Sequence, residues 1–267
     1  MLDQILVGQY IAIDSFLHRL DPRAKLIAMF LIVVTIFIAT ETYQYMIIMS
    51  LVVLTFIMSQ ISFKHLYRGM RPILWFVYLT FFLHVLINKD GELLWQYQFL
   101  SVYSEGVMQG FIISFRLFVL IFFSTILTLT TAPMTLTQGI EALLKPFQRI
   151  MPVHEIALML TISIRFIPTI LRETDKLIKA QTARGGSIGH GSLLKRVKHV
   201  IPLVVPLLII SFKRAEELAT AMEARGYRGS VGRTKFRQLV FKASDQMVLL
   251  IMLAITILTL FMRFLAH

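Results

Sequence analysis

Apolar residues in this chain come in long blocks rather than in strict alternation, and the blocks have lengths that suit a bilayer. A spanning helix needs roughly 20 predominantly apolar residues. Five stretches come close enough to that length to cross: residues 26–40, 43–61, 72–88, 106–131 and 246–262. The first is short, but Arg23 and Lys25 flank it and can snorkel to the interface. The third opens on Pro72, a residue that suits a first helical turn because no backbone hydrogen bond is lost there.

Between the fourth and fifth stretches lie two more apolar runs, 156–171 and 200–212. The second run, about 13 residues long, is in the range of a buried or interfacial segment rather than a span. If the first crossed, Arg172, Lys176, Lys179, Arg184, Lys195, Arg196 and Lys198 would all lie outside. Cytoplasmic loops carry the excess of Lys and Arg, so that topology is disfavoured. Both runs read instead as the front halves of long helices at the inner membrane face. One covers 153–184, roughly 45 Å long at 1.5 Å per residue. Its residues Ile167, Ile170, Leu171, Thr174, Leu177 and Ile178 follow a helical stripe. The other covers 202–226, with Ala215, Leu218, Ala219 and Met222 in similar spacing. A shorter helix, 136–148, precedes them and is closed off by Pro146 and Pro152.

The expected fold class is therefore an all-α integral membrane protein with about five transmembrane helices and a cytoplasmic-face module of three helices. Residues 1–132 form a membrane region with four spans, 133–243 the module, and 244–267 the last span. Basic residues set the orientation. Arg19, Arg23 and Lys25 precede the first span, and Lys64, Arg68 and Arg71 lie between the second and third. The opposite loops, 41–42 and 89–105, hold Lys89 alone. The N-terminus is expected inside and the C-terminus outside.

Composition agrees with a membrane protein: 57% of residues are hydrophobic, 16% are charged, and the mean hydropathy is +0.73. No cleavable signal peptide is visible, so the first span is expected to remain as an insertion signal. The net charge of +12 could suggest nucleic acid. However, 18 of the 27 Lys and Arg fall between Lys145 and Lys242, as expected for a segment beside anionic headgroups. No nucleic-acid partner is required.

Candidate chemistry is sparse. Without cysteines, disulfides and thiolate metal sites are excluded. The seven histidines are scattered, with only His84 inside a span, where a packing role is expected. No HExxH or paired DxxD arrangement occurs. Glu216 and Glu217 are adjacent and point to different helix faces, so they cannot grip one ion together. The glycine-rich segment 185–191 has no lysine and hydroxyl pair after its last glycine and no strand before it, as a phosphate loop would need, and reads as a linker. Arg116 is the one cation within a span, a functional candidate by default. With no acidic partner in the other spans, it is expected to serve structure by snorkelling towards Glu105. No catalytic residue, cofactor or metal is expected.

One pattern stands out from this background. Ala183-Arg184-Gly185 and Ala224-Arg225-Gly226 close the two long helices, 41 residues apart. The match extends upstream: Asp175 with Glu216, Leu177 with Leu218, Ala180 with Ala221. Arginine near a helix C-terminus followed by a capping glycine is common. Two such endings with matched approaches, in a chain without chemistry of its own, point to docking. Alanine allows close approach, and arginine offers a forked donor to carboxylates or carbonyls.

Residues 15–26 (SFLHRLDPRAKL), 165–169 (RFIPT), 180–185 (AQTARG) and 214–227 (RAEELATAMEARGY) resemble the transmembrane T component of energy-coupling factor transporters. The likeness covers essentially the whole chain, and all six positions of the paired motifs are kept. The resemblance implies a non-catalytic subunit in the bacterial cytoplasmic membrane. It implies two ABC-type ATPase subunits as partners, joined to a separate membrane S component that binds a vitamin or other micronutrient. Arg184 and Arg225 would each dock into one ATPase, and transport would involve tilting of the S component rather than a pore. Leu203, Val204, Leu207 and Leu208, with part of 156–171, are the expected cradle for that subunit. Two other function classes fit less well. A self-contained secondary transporter or channel would call for interrupted spans with intramembrane acids. A membrane-embedded lipid-modifying enzyme would need convergent carboxylates or histidines.

Overall fold

The computed structural model describes residues 10–97, 100–184, 193–229 and 239–266. Along the chain run α1 (Phe16–Arg19), α2 (Pro22–Ile38), α3 (Thr42–Ser59), α4 (Phe63–Ile87), β1 (Leu93–Tyr97), β2 (Leu100–Tyr103), α5 (Ser104–Thr130) and α6 (Pro133–Leu144). A 3-10 segment, Lys145–Arg149, leads into α7 (Val153–Ala183), α8 (Leu193–Ala224) and α9 (Ala243–Ala266). The chain is an all-α membrane protein whose small antiparallel hairpin, β1 with β2, caps the α4–α5 pair. Among the described residues, α3, α4, α5, α7 and α9 are long and apolar enough to cross a membrane. The 17-residue α2 is shorter. α7, expected from its charge to lie at the inner face, thus qualifies as a span by length and apolarity.

Several boundaries differ from those read in the sequence, each for a physical reason. α4 begins at Phe63, so Pro72 lies inside it rather than in its first turn. Lys64, Arg68 and Arg71 face outward on this front section while Leu66 and Met70 are buried, which makes it amphipathic instead of non-helical. α8 begins at Leu193 and runs through both Pro202 and Pro206. Each proline removes the donor for a carbonyl one turn earlier. α6 spans Pro133–Leu144, and the chain tightens to 3-10 geometry from Lys145 around Pro146. The hairpin arises where a loop was expected; its Leu-Leu-Trp-Gln-Tyr stretch is rich in strand-favouring aromatic residues.

Two compact units divide the chain, Gly8–Ile140 with Leu239–His267, and Glu141–Gln238. The core of the first is built from Ile32 and Ile36 on α2, Ile48 and Val52 on α3, Val119, Phe122 and Ile126 on α5, and Met252 on α9. α4 and α5 approach closely because Gly106 and Gly110 lie at their contact. A Cβ on Gly106 would meet the Asn88 carbonyl at 2.8 Å, and one on Gly110 the Phe81 carbonyl at 3.2 Å.

Polar groups tie α9 to α2 and α3. The Thr35 and Thr256 hydroxyls bond at 2.9 Å, and Gln44 Nε2 donates to the Thr259 carbonyl at 3.2 Å. Asp245, fully buried, accepts the Asp21 amide at 2.8 Å and the Lys242 amide at 2.7 Å, pinning the starts of α2 and α9 together. Lys25 Nζ donates to the Thr130 carbonyl at 2.9 Å and Thr131 Oγ1 at 3.0 Å, bringing the end of α5 to the same junction. Asp245→Ala orphans two amides, each costing about 1–3 kcal/mol. Its unfolding midpoint in detergent is expected to fall well below wild type, with Asp245→Asn between; an unchanged midpoint would remove this junction from the stabilising contacts.

Arg116 does not reach towards Glu105. Its Nη2 donates to the Ala39 carbonyl at 2.8 Å and to Tyr45 Oη at 3.0 Å, capping the C-terminal end of α2. His84 Nδ1 bonds the Thr80 carbonyl one turn back, at 2.8 Å, a packing role as expected.

Candidate functional site

The unit of residues 141–238 holds both arginine-tipped helices. α7 ends at Ala183, and Arg184 stands exposed as its C-cap, its amide bonded to the Ala180 and Gln181 carbonyls at 3.3 and 3.1 Å. α8 ends at Ala224. The exposed Arg225 bonds the Ala221 and Met222 carbonyls at 3.3 and 3.2 Å. The two endings thus use equivalent carbonyls, 41 residues apart.

Beyond Arg225 the chain closes in a Schellman cap. The Gly226 amide donates to the Glu223 carbonyl at 2.9 Å and the Tyr227 amide to Met222 at 3.0 Å. Gly226 has φ +74, and a Cβ there would meet nothing within 4 Å. The glycine is needed for the left-handed turn and not for room. Of the six motif residues, Ala183, Arg184, Ala224, Arg225 and Gly226 are exposed; Gly185 and the glycine-rich segment after it lie outside the described residues.

α7 and α8 meet through an ion pair that sequence reading missed. Arg214 Nη2 on α8 donates to Glu173 Oε1 on α7 at 3.1 Å, and Lys176 Nζ approaches the same oxygen at 3.4 Å. Glu173 and Arg214 are themselves 41 residues apart, so the helices touch at matched positions. Each tip lies eleven residues farther on, roughly 16 Å along its own helix. An ion pair with side chains 30% and 23% exposed contributes at most about 1 kcal/mol, so its value is in fixing register. Extending the 41-residue offset upstream to opposite charges at 173 and 214 would have signalled it. Lys179 and Asp175, 2.9 Å apart, add a pair along α7.

Apolar residues are also presented outward. On α8, Ile201, Val204, Val205, Leu208 and Phe212 form an exposed stripe at helical spacing. Of the four expected cradle residues, Val204 and Leu208 belong to it, Leu207 is half-buried, and Leu203 is buried at 7% exposure. On α7, Ile156, Met159, Leu160, Ile167 and Ile170 are likewise exposed. Among the described residues there is no group of three or more His, Cys, Asp or Glu that could hold a metal ion.

Residues 14–238 match the model of the cobalt transport protein family. A Bacillus subtilis protein named energy-coupling factor transporter transmembrane protein is 45% identical over 98% of this chain and all of its own length. The chain belongs to this family of energy-coupling factor transporter transmembrane proteins. Relatives of the same name from Macrococcus caseolyticus and Streptococcus thermophilus are 44% and 40% identical, each over 98% of this chain and all of their own. The family match covers both tips and the Glu173–Arg214 contact, and the relatives extend through α9. This is a multi-pass membrane component of an energy-coupling factor transporter.

Proposed function

We propose that the chain is the coupling scaffold of an ATP-driven importer. α7 and α8 lie at the cytoplasmic face, and Ala183-Arg184-Gly185 and Ala224-Arg225-Gly226 each dock into one ABC-type ATPase subunit. The N-terminus is inside and the C-terminus outside, with α2, α3, α4, α5 and α9 crossing. The separate substrate-binding membrane subunit, carrying a vitamin or other micronutrient, rests on the exposed stripes of α7 and α8. This refines the expected cradle: Val204 and Leu208 touch the partner, while Leu203 packs beneath them.

The observation that carries this reading is the matched pair of exposed tips, equally far from the Glu173–Arg214 ion pair that joins their helices. An exposed cation beside a small residue at a rigid helix end suits insertion into a groove, where the guanidinium meets carboxylates or carbonyls without reorganising the helix. Because both helices share one unit, separation of the ATPases would be transmitted from the tips to the apolar stripes. Hydrolysis of ATP stays with the ATPases.

Reconstitution tests this directly. Liposomes holding the chain with two ATPases and the substrate-binding subunit should accumulate solute only with ATP inside the reach of the ATPases. Liposomes holding the chain alone should accumulate none. Solute uptake by the chain alone would establish a self-contained transporter instead.

A further inference from the structure

We propose that the β1–β2 hairpin is an interfacial lipid anchor, holding the end of the α4–α5 pair at the boundary between headgroups and acyl chains. Four observations carry it. The hairpin continues the outward apolar surface of the helices it joins: Leu86 and Ile87 are exposed at the end of α4, Met108 and Phe111 near the start of α5. On β1, Leu94 and Trp95 are 60% and 55% exposed, at a bulge where the register shifts between Leu93 and Trp95. In water, such an exposed apolar edge strand invites aggregation.

The base of the hairpin is also fixed in position. The Ser104 amide donates to the Glu92 carbonyl at 2.9 Å, and the Glu92 amide donates back to Ser104 Oγ at 3.1 Å. Asn88 Nδ2 donates to Gln109 Oε1 at 2.8 Å, bracing the two helix ends. Gly91, at φ +89, makes the turn, and a Cβ there would lie 2.6 Å from Ser104 Oγ. Trp95 is only three residues past Glu92, so it is held within roughly 10 Å of the helix ends at about 3.3 Å per residue. That distance is comparable to the interfacial layer, some 5–8 Å on each side of the hydrocarbon core. Tryptophan favours that layer because its ring is amphipathic. The occupant is therefore the lipid surface itself, and this inference is independent of how the tips engage their partners.

The chain has two tryptophans, Trp75 and Trp95, so Trp75→Phe leaves Trp95 as the sole reporter. In vesicles, and again in the assembled transporter, its emission should be blue-shifted. Phospholipids brominated near the headgroup should quench it more than those brominated near the chain end, and acrylamide should quench it little. Should Trp75→Phe not reconstitute, the difference between wild type and Trp95→Phe reports the same signal. Red-shifted emission with strong acrylamide quenching would overturn the proposal. Lipid quenching that disappears on assembly would overturn it too, by showing that the hairpin is a docking surface for another subunit.

Discussion

Replacing Arg184 and Arg225 together by alanine is expected to leave a chain that inserts normally but retains neither ATPase, with ATP-driven uptake abolished. Losing a charged group from a buried, hydrogen-bonded interface costs about 2–5 kcal/mol, roughly thirty-fold to several-thousand-fold in affinity at each tip. The fold should not suffer, because both arginines are exposed and their backbone amides, not their side chains, make the capping bonds. Lysine at both positions should rescue only in part, since charge is kept but the fork is lost. Co-purification of both ATPases with the double alanine variant at wild-type yield would rule out the docking role.

Leu208→Asp is expected to have the second largest effect, of a different kind. Leu208 lies mid-stripe on α8, 51% exposed, so the free chain should tolerate a carboxylate there. In the assembly that carboxylate would be trapped against an apolar partner, at a cost of several kcal/mol. The substrate-binding subunit should be lost while both ATPases stay bound. Leu203→Ala makes the contrast: the side chain is buried, and removing it should lower the stability of the chain by about 2–5 kcal/mol. Loss of the ATPases with Leu208→Asp, or unchanged retention of the substrate subunit, would show that the stripe is not the seat.

The sequence was most informative where one physical signal acted alone. Long apolar blocks marked α3, α5 and α9, which are long and apolar enough to cross a membrane, and the Ala-Arg-Gly repeat marked both helix ends. Reading failed where signals overlapped. Lys64, Arg68 and Arg71 hid the first turns of α4, because a charged face lowers hydropathy without breaking a helix. Residues 200–212 are nearly all apolar, so no periodicity distinguished the inward Leu203 from the outward Val204 and Leu208. Arg116 and Asp245 have partners 77 and 224 residues away in sequence, contacts that no local spacing encodes. The Glu173–Arg214 pair was within reach, since it obeys the same offset as the tips.

A cysteine placed beside each tip gives the most direct test, because the chain has none of its own. Ala183→Cys and Ala224→Cys, made singly, would be treated in the assembled transporter with a short thiol-to-amine crosslinker applied from the cytoplasmic side. Each tip should yield a covalent adduct with an ATPase subunit, and a membrane-impermeant thiol reagent on the outer side should block neither reaction. A tip that reacts only from outside, or that yields no ATPase adduct in a complex containing both ATPases, would contradict the coupling role of that helix.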